Sequence, residues 1–312
     1  MGARCRRPRA LRPGDRLAIL APASPFERAE FDAGVTEIGR LGFVPVYDER
    51  VFARRGYVAG DAEQRAEAFR DALRDPSIAG ILCARGGYGS VQVLPFLDAS
   101  EIRNAAKPIV GYSDLTSLLV FVTRHAGLVA FHGPMIAGRL ARGPRGYDEA
   151  SFLGALTSAT PLGEVGAGTL RTVVPGTATG VLVGGTLTQL LASLGTPYAF
   201  DPPARHVLFV DEVNERPYRL DRMLTQLRLS GLLARASAVV FGELPGCDEP
   251  GGSPTAADVV RDVLGDFRGP VAMGLPSGHT NGRALTLPLG VTCTVRASTE
   301  AHLVIEEAAV EP

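Results

Sequence analysis

The sequence predicts an α/β protein whose first half is a parallel β-sheet layered with helices and whose second half is richer in β-strand. Three observations carry this. Through the first half, short apolar runs alternate with segments of helical periodicity, the pattern of β-α-β units. In the second half, Leu285 to Leu287, Val291 to Val295 and Leu303 to Ile305 alternate apolar and polar residues, as antiparallel or edge strands do. Between the halves, Arg139 to Gly168 is rich in Gly, Pro and Ser and has little periodicity, so it reads as a connection.

The elements follow in order. Arg16 to Ala21 is a short apolar run bounded by turn signals. From Glu27 to Leu41, Phe31, Val35, Ile38 and Leu41 fall at helical spacing, and Gly42 closes the helix. Val44 to Tyr47 is the next strand, Asp61 to Arg74 a second amphipathic helix, Gly80 to Ala84 a third strand and Pro108 to Tyr112 a fourth. Leu115 to Arg124 is helical, and Val129 to Phe131 is strand again. Beyond the connection, Thr186 to Leu194 is a short helix and Val207 to Val210 a buried strand. Pro217 opens a helix that runs to about Ser230, at the position where a missing N–H does no harm. Ala238 to Phe241 and Val271 to Met273 are further strands. Ligands in parallel sheets bind beyond the carboxyl ends of the strands, so residues at those ends carry the functional weight.

With 312 residues, 46% hydrophobic and 21% charged, the chain can bury a sizeable core without disulfides or metals. A formal net charge of −1 gives no strong field for nucleic acid or an anionic membrane. The start is Arg-rich, but the apolar run Leu17 to Ala21 is too short for the core of a signal peptide. No stretch approaches the roughly 18 apolar residues that span a bilayer. A cytoplasmic protein is expected. Cys5, Cys83, Cys247 and Cys293 lack C-x-x-C spacing, which argues against zinc and a disulfide framework. Cys83 and Cys293 read as packed thiols, with a catalytic Cys the weaker alternative.

Four segments could carry chemistry. In Ile109-Val-Gly-Tyr-Ser113-Asp-Leu-Thr, a strand runs into a serine and a helix starts at once behind it. Such a turn exposes the hydroxyl and aims helix N–H groups at whatever it attacks, although Leu115 stands where the second Gly of a nucleophile elbow would be. The plain alternative is that Ser113 only caps the helix. In Cys83-Ala-Arg-Gly-Gly-Tyr-Gly-Ser90, glycines let backbone N–H groups approach a ligand. This reads as a phosphate cradle lacking the P-loop Lys, as an oxyanion hole shared with Asp114, or as a tight turn. Asp211 and Glu212 end a strand, where an acid could orient a histidine or merely precede a helix. His279 sits in the glycine-flanked loop Gly274-Leu-Pro-Ser-Gly-His279, free of core packing; His132, beside Pro134, is the rival general base. His125, His206 and His302 have no comparable setting. Together the chain offers a nucleophile, an acid, a base and oxyanion donors, all at strand-to-loop junctions.

These motifs, with Phe131-His-Gly-Pro-Met135, Gly185-Thr-Leu-Thr-Gln189, Phe209-Val-Asp-Glu-Val-Asn-Glu-Arg-Pro-Tyr-Arg219 and Leu285-Thr-Leu-Pro-Leu-Gly290, resemble the LD-carboxypeptidase family of serine peptidases over nearly the whole chain. The resemblance implies a flavodoxin-like N-terminal domain joined to a smaller β-rich C-terminal domain, set here at residues 1–145 and 176–312 around a linker at 146–175. It implies a Ser-Glu-His triad with no metal and no cofactor: Ser113 as nucleophile, His279 as base, and the N–H groups of Gly87 and Asp114 as oxyanion hole. The family often reads Glu-Asp where this chain has Asp211-Glu212. Strand register puts Asp211 in the acid's place, residue type favours Glu212, and neighbouring strand residues face opposite ways, so only one can meet His279. The implied substrate is the murein tetrapeptide, cut to release its terminal D-Ala in peptidoglycan recycling by a homodimer. A branch of the family instead cleaves aminoacyl-nucleotides and confers microcin resistance; the absence of Trp weighs mildly against it. A non-catalytic peptide-binding protein is the alternative of another class. Arg85, Tyr88 and Arg219 are candidates for a substrate carboxylate, although loop arginines are more often only solvated.

Overall fold

The computed structural model describes residues 4–312. In the first half, β1 (Arg16–Leu20), β2 (Val44–Val46), β3 (Ile78–Cys83), β4 (Ile109–Gly111) and β5 (Ala130–His132) alternate with α1 (Arg28–Arg40), α2 (Ala62–Arg74), α3 (Ser90–Val93), α4 (Ala99–Ala105) and α5 (Thr116–Val120). The five strands are parallel in the order β2-β1-β3-β4-β5, the flavodoxin-like arrangement. α1 forms because Phe31, Gly34 and Ile38 share one buried face, with Glu37 drawn in beside them. α2 buries Ala66, Phe69, Ala72 and Leu73 in the same way.

The connection holds more structure than its sequence suggests: a 3-10 segment over Leu140–Arg145, then α6 (Glu149–Thr157) and β6 (Gly163–Val165). α6 is capped by the Asp148 carboxylate, which accepts from the Ser151 N–H at 2.8 Å. Its Phe152, Ala155 and Leu156 are buried and its remaining face is nearly apolar too, so it carries no periodic signal. The second half contributes β7 (Arg171–Val174), β8 (Gly176–Thr186), α7 (Leu187–Ala192), β9 (His206–Asp211), α8 (Pro217–Leu229), α9 (Leu232–Arg235), β10 (Ala236–Gly242), α10 (Ala256–Leu264), β11 (Val271–Leu275), β12 (Leu287–Leu289), β13 (Thr292–Ala297) and β14 (Ala301–Ile305).

The second sheet runs β6-β14-β13-β8-β9-β10-β11-β7. β8, β9, β10 and β11 are parallel at its centre, and antiparallel strands flank them on both sides. β12 leaves this sheet and pairs antiparallel with β5, setting Leu287 opposite His132, so the chain returns to the first sheet near its end.

Strand parity decides what each face of the second sheet meets. Val207 and Phe209 on β9, Ala238 and Val240 on β10, and Ala272 on β11 belong to the apolar core shared with the first sheet. Their neighbours Leu208, Val210, Val239, Phe241, Val271 and Met273 pack in a second core with Leu190, Leu220, Leu224 and Val260 from α7, α8 and α10. Asp211 continues the first series and Glu212 the second.

β8 is the long central strand, yet glycine punctuates it. A side-chain carbon at Gly180 would lie 2.3 Å from the Arg205 carbonyl oxygen, and one at Gly184 would lie 1.9 Å from that of Phe209. Gly184 and Gly185 also have φ of +133° and +144°, conformations side chains disfavour. Glycine is therefore what lets β8 lie against β9. At the next residue, the Thr186 N–H donates to Thr116 Oγ1 at 3.0 Å, tying the end of β8 to the start of α5. Gly184→Ala is expected to lower the unfolding free energy by at least about 3 kcal/mol. Gly39→Ala on exposed α1, where no atom lies within 4 Å of the added methyl, is expected to leave it unchanged or raise it by about 1 kcal/mol. Urea unfolding of the two variants checks both; equal effects would contradict the close-approach explanation.

Candidate active site

β4 delivers the chain to Ser113 through extended Tyr112, and Ser113 itself has φ of +64°. A non-glycine residue in the left-handed region costs about 1–2 kcal/mol, and such strain persists where the surroundings enforce it. Gly86 supplies part of that enforcement: a side-chain carbon there would fall 2.9 Å from Ser113 Cβ and 3.3 Å from the Asp114 nitrogen. The half-buried Ser113 makes no side-chain cap to the helical turns that follow, so the capping alternative is not realised.

The glycine-rich turn is bolted to this elbow. Asp114 is buried, and its Oδ2 accepts from the Ser90 N–H at 2.8 Å while Ser90 Oγ donates back to the Asp114 carbonyl at 2.6 Å. Burial pushes the Asp114 carboxyl up, against the pull of those donors and of Arg65. Buried Arg65 donates to the carbonyls of Gly89 at 2.8 Å and Gly60 at 3.2 Å, and to Pro22. On the outer side Ser24 Oγ accepts from the Tyr88 N–H at 3.0 Å and donates to the Tyr57 carbonyl at 2.8 Å. Gly87, with φ of +93°, leaves no room for a side chain beside Ser24. Among the described residues the N–H groups of Gly87 and Asp114 donate to no protein acceptor.

The second sheet brings Asp211 and His279 together. Asp211, at the end of β9, has no exposed surface. Its Oδ2 lies 2.7 Å from His279 Nδ1, and its Oδ1 accepts from the His279 backbone N–H at 3.1 Å. Thr186 Oγ1 adds a longer contact to Oδ2 at 3.4 Å. Gly278 makes this approach possible: a side-chain carbon there would stand 2.4 Å from Asp211 Oδ2. The loop is held from below by Arg139, which donates to the carbonyls of Gly278 at 3.1 Å, Gly282 at 2.9 Å, and Thr280. The His279 ring packs edge-on against Tyr112, the residue before Ser113, with centroids 5.2 Å apart, and keeps 18% of its side chain exposed.

Glu212 points the other way. Its Oε2 accepts from Thr188 N–H and Oγ1 at 2.9 and 2.7 Å, in the first turn of α7. Burial raises its carboxyl above the ordinary range, opposed by those hydrogen bonds. Of the two acids read from the sequence, Asp211 meets the histidine and Glu212 secures a helix.

His132 is fully buried behind the pair, its Nδ1 3.2 Å from Ser277 Oγ; burial lowers its pKa to about 4, so it stays neutral near pH 7. Cys83 is wholly buried and burial pushes its thiol up to about 12, which keeps it protonated. Arg85 donates to the Pro25 carbonyl, and Arg219 pairs with Glu215 and lies over Tyr218. Arg139 and Arg65 had no sequence signal, because each acts on backbone carbonyls brought in from distant segments; Thr186 falls in the Gly185-Thr-Leu-Thr-Gln189 motif, whose spacing does not show its contact with Asp211. A cavity of about 440 Å³ lies elsewhere, between β1, β2 and α2 against Ala18, Leu20, Val46 and Ala72.

The LD-carboxypeptidase N-terminal domain matches residues 17–133, and the LD-carboxypeptidase C-terminal domain matches residues 179–295. The chain belongs to the LD-carboxypeptidase family. It is 32% identical to a probable murein peptide carboxypeptidase of Bacillus subtilis, over 96% of this chain and 94% of that protein. It is 31% identical to the murein tetrapeptide carboxypeptidase of Pseudomonas aeruginosa, over 85% and 88% of the two chains. The microcin self-immunity protein MccF of Escherichia coli is 26% identical over 90% of each chain. Among solved structures, MccF in complex with aspartyl sulfamoyl adenosine superposes with a TM-score of 0.89 at 24% identity, covering 98% of this chain and all of the other, a likeness of fold. A muramoyltetrapeptide carboxypeptidase from Oxalobacter formigenes superposes at 0.81 with 27% identity, over 94% and 99% of the chains.

Within this family chain the two acids are expected to separate cleanly. Asp211→Asn should lower kcat by about a thousandfold or more, as loss of a triad acid does, with thermal stability little changed. Glu212→Gln should leave kcat within about threefold and lower the melting temperature instead, through the weakened hold on α7. Peptidase assays and thermal unfolding of both variants check this; the reverse assignment would contradict the geometry.

Proposed function

We propose that the chain is a serine-type LD-carboxypeptidase that cuts the amide bond before the terminal D-alanine of a murein tetrapeptide. The observation that carries this reading is the 2.7 Å Asp211–His279 bond, with the His279 ring packed on Tyr112, the residue before the strained Ser113, in a chain of this family. Asp211 holds the Nδ1 proton, which fixes the tautomer that leaves His279 Nε2 free to accept. Ser113 Oγ attacks the carbonyl carbon of the penultimate residue while His279 takes the hydroxyl proton. The carbonyl oxygen becomes an oxyanion between the N–H groups of Gly87 and Asp114. Collapse breaks the C–N bond, His279 returns the proton to the departing D-alanine amine, and an acyl-enzyme on Ser113 remains. Water, deprotonated by His279, then hydrolyses the ester and restores the serine.

The strain at Ser113 fits this role, since it projects the hydroxyl away from the strand that delivers it. No metal or cofactor enters these steps. To the same reading belong a cytoplasmic setting, a homodimer, and a division into residues 1–145, a linker at 146–175 and residues 176–312. A second reading is supported by the relative MccF: cleavage of an aminoacyl-nucleotide amide by the same residues.

The test is D-alanine release from murein tetrapeptide by the wild type beside Ser113→Ala. Release by the wild type is expected to fall by about a thousandfold or more in the variant. Equal release would remove Ser113 as the nucleophile. No release by either protein would overturn the murein reading; turnover of an aminoacyl sulfamoyl nucleotide would then establish the second.

A further inference from the structure

We propose that His132 is a positioning residue for the acid of this site: a second, neutral histidine whose ring Nε2–H faces the Asp211 carboxylate and holds it as the anion that orients His279. The proposal rests on the catalytic reading above. Its starting point is an accounting gap. Asp211 has no exposed surface, yet among the described residues it receives, beyond the two donors of His279, only the 3.4 Å contact from Thr186. A buried carboxylate so poorly supplied is costly. Across from it, His132 Nε2 is buried without a hydrogen-bond partner among the described residues, 4.0 Å from Asp211 Oδ2. The two groups meet over Gly278: a side-chain carbon there would lie 2.7 Å from His132 Cε1 and 2.4 Å from Asp211 Oδ2.

The tautomer follows from Ser277. Its hydroxyl has one proton and two acceptors in reach, the Leu285 carbonyl at 3.0 Å and His132 Nδ1 at 3.2 Å. If the proton goes to Leu285, His132 must donate from Nδ1, and its Nε2 lone pair then faces a buried carboxylate. If it goes to His132, the ring proton sits on Nε2 and faces the anion. In a low-dielectric interior the second arrangement is favoured. The ring's own backbone carbonyl is a further acceptor beside it, and the Asp211 charge outweighs it. Tyr112 and Phe209 pack against it edge-on at 5.9 and 5.1 Å, His279 shares the same carboxylate, and Arg139 holds the carbonyls of the His279 loop. The gap to Asp211 exceeds a hydrogen bond by about 1 Å. Closing it when His279 takes up the serine proton would keep that proton on His279 and off Asp211.

Nitrogen-15 NMR of histidine-labelled full-length protein at pH 7 tests the tautomer without any need for turnover. The signals that vanish in His132→Gln identify the ring. A protonated Nε2 with a bare Nδ1 is expected, and a protonated Nδ1 would overturn the proposal. His132→Leu should lower kcat by about tenfold or more, the cost of losing a hydrogen bond to a charge, with KM within about twofold. His132→Gln, which keeps an amide donor for Asp211, should recover most of the loss. Equal loss in both variants would reduce His132 to packing. If the wild type releases no D-alanine, the catalytic reading fails, while the NMR result still decides how His132 faces Asp211.

Discussion

A carboxylate with no exposed surface has to be surrounded by donors, and Asp211 draws the rest of this site into place by that need. It ends β9 on the face that looks toward the first sheet, because Phe209 and Val207, two and four residues earlier, are packed there. The donors come from the loop after β11, which reaches it only because Gly278 has no side chain. That loop is in turn stapled by Arg139, from the connection that follows the first sheet. One buried charge thus links β9, the His279 loop and the segment between the two sheets. A buried charge paired in this way adds little to stability by itself but specifies one arrangement of its neighbours.

The Ser113 side is built on the same logic with backbone in place of charge. Ser113 is held in a left-handed conformation by the close seat of Gly86, and Asp114 bonds the glycine-rich turn to the elbow. Arg65 gathers three loop carbonyls on the far side of that turn. The two assemblies meet where Thr116 of α5 accepts the Thr186 N–H from β8, and where Tyr112 packs on His279. β12, returning to pair with β5, closes the chain back on the first sheet.

Much of this was legible in the sequence, and the gaps have physical causes. The strands and helices of the first half declare themselves because each is half-buried and so keeps its periodicity. β8 does not: its glycines look like loop, although each answers a backbone or side chain pressed against it. α6 is too evenly apolar to show a face, whereas α10 does carry a signal, the capping box of Thr255 and Asp258. Ser113 and His279 could be found because both stand at strand-to-loop junctions. The choice between Asp211 and Glu212 turned on strand parity, which residue type could not decide. Arg139 and Arg65 act across long sequence separations and leave no local pattern.

The claim on which the whole reading depends is that Ser113 is activated by His279 across the meeting of the two sheets. Treatment with a fluorophosphonate, followed by peptide mass spectrometry, measures this directly, since such reagents phosphonylate an activated serine and release fluoride. A single adduct on Ser113 is expected, forming at least about a hundredfold more slowly in His279→Ala. An adduct on another residue, or one on Ser113 that forms equally fast without His279, would contradict it.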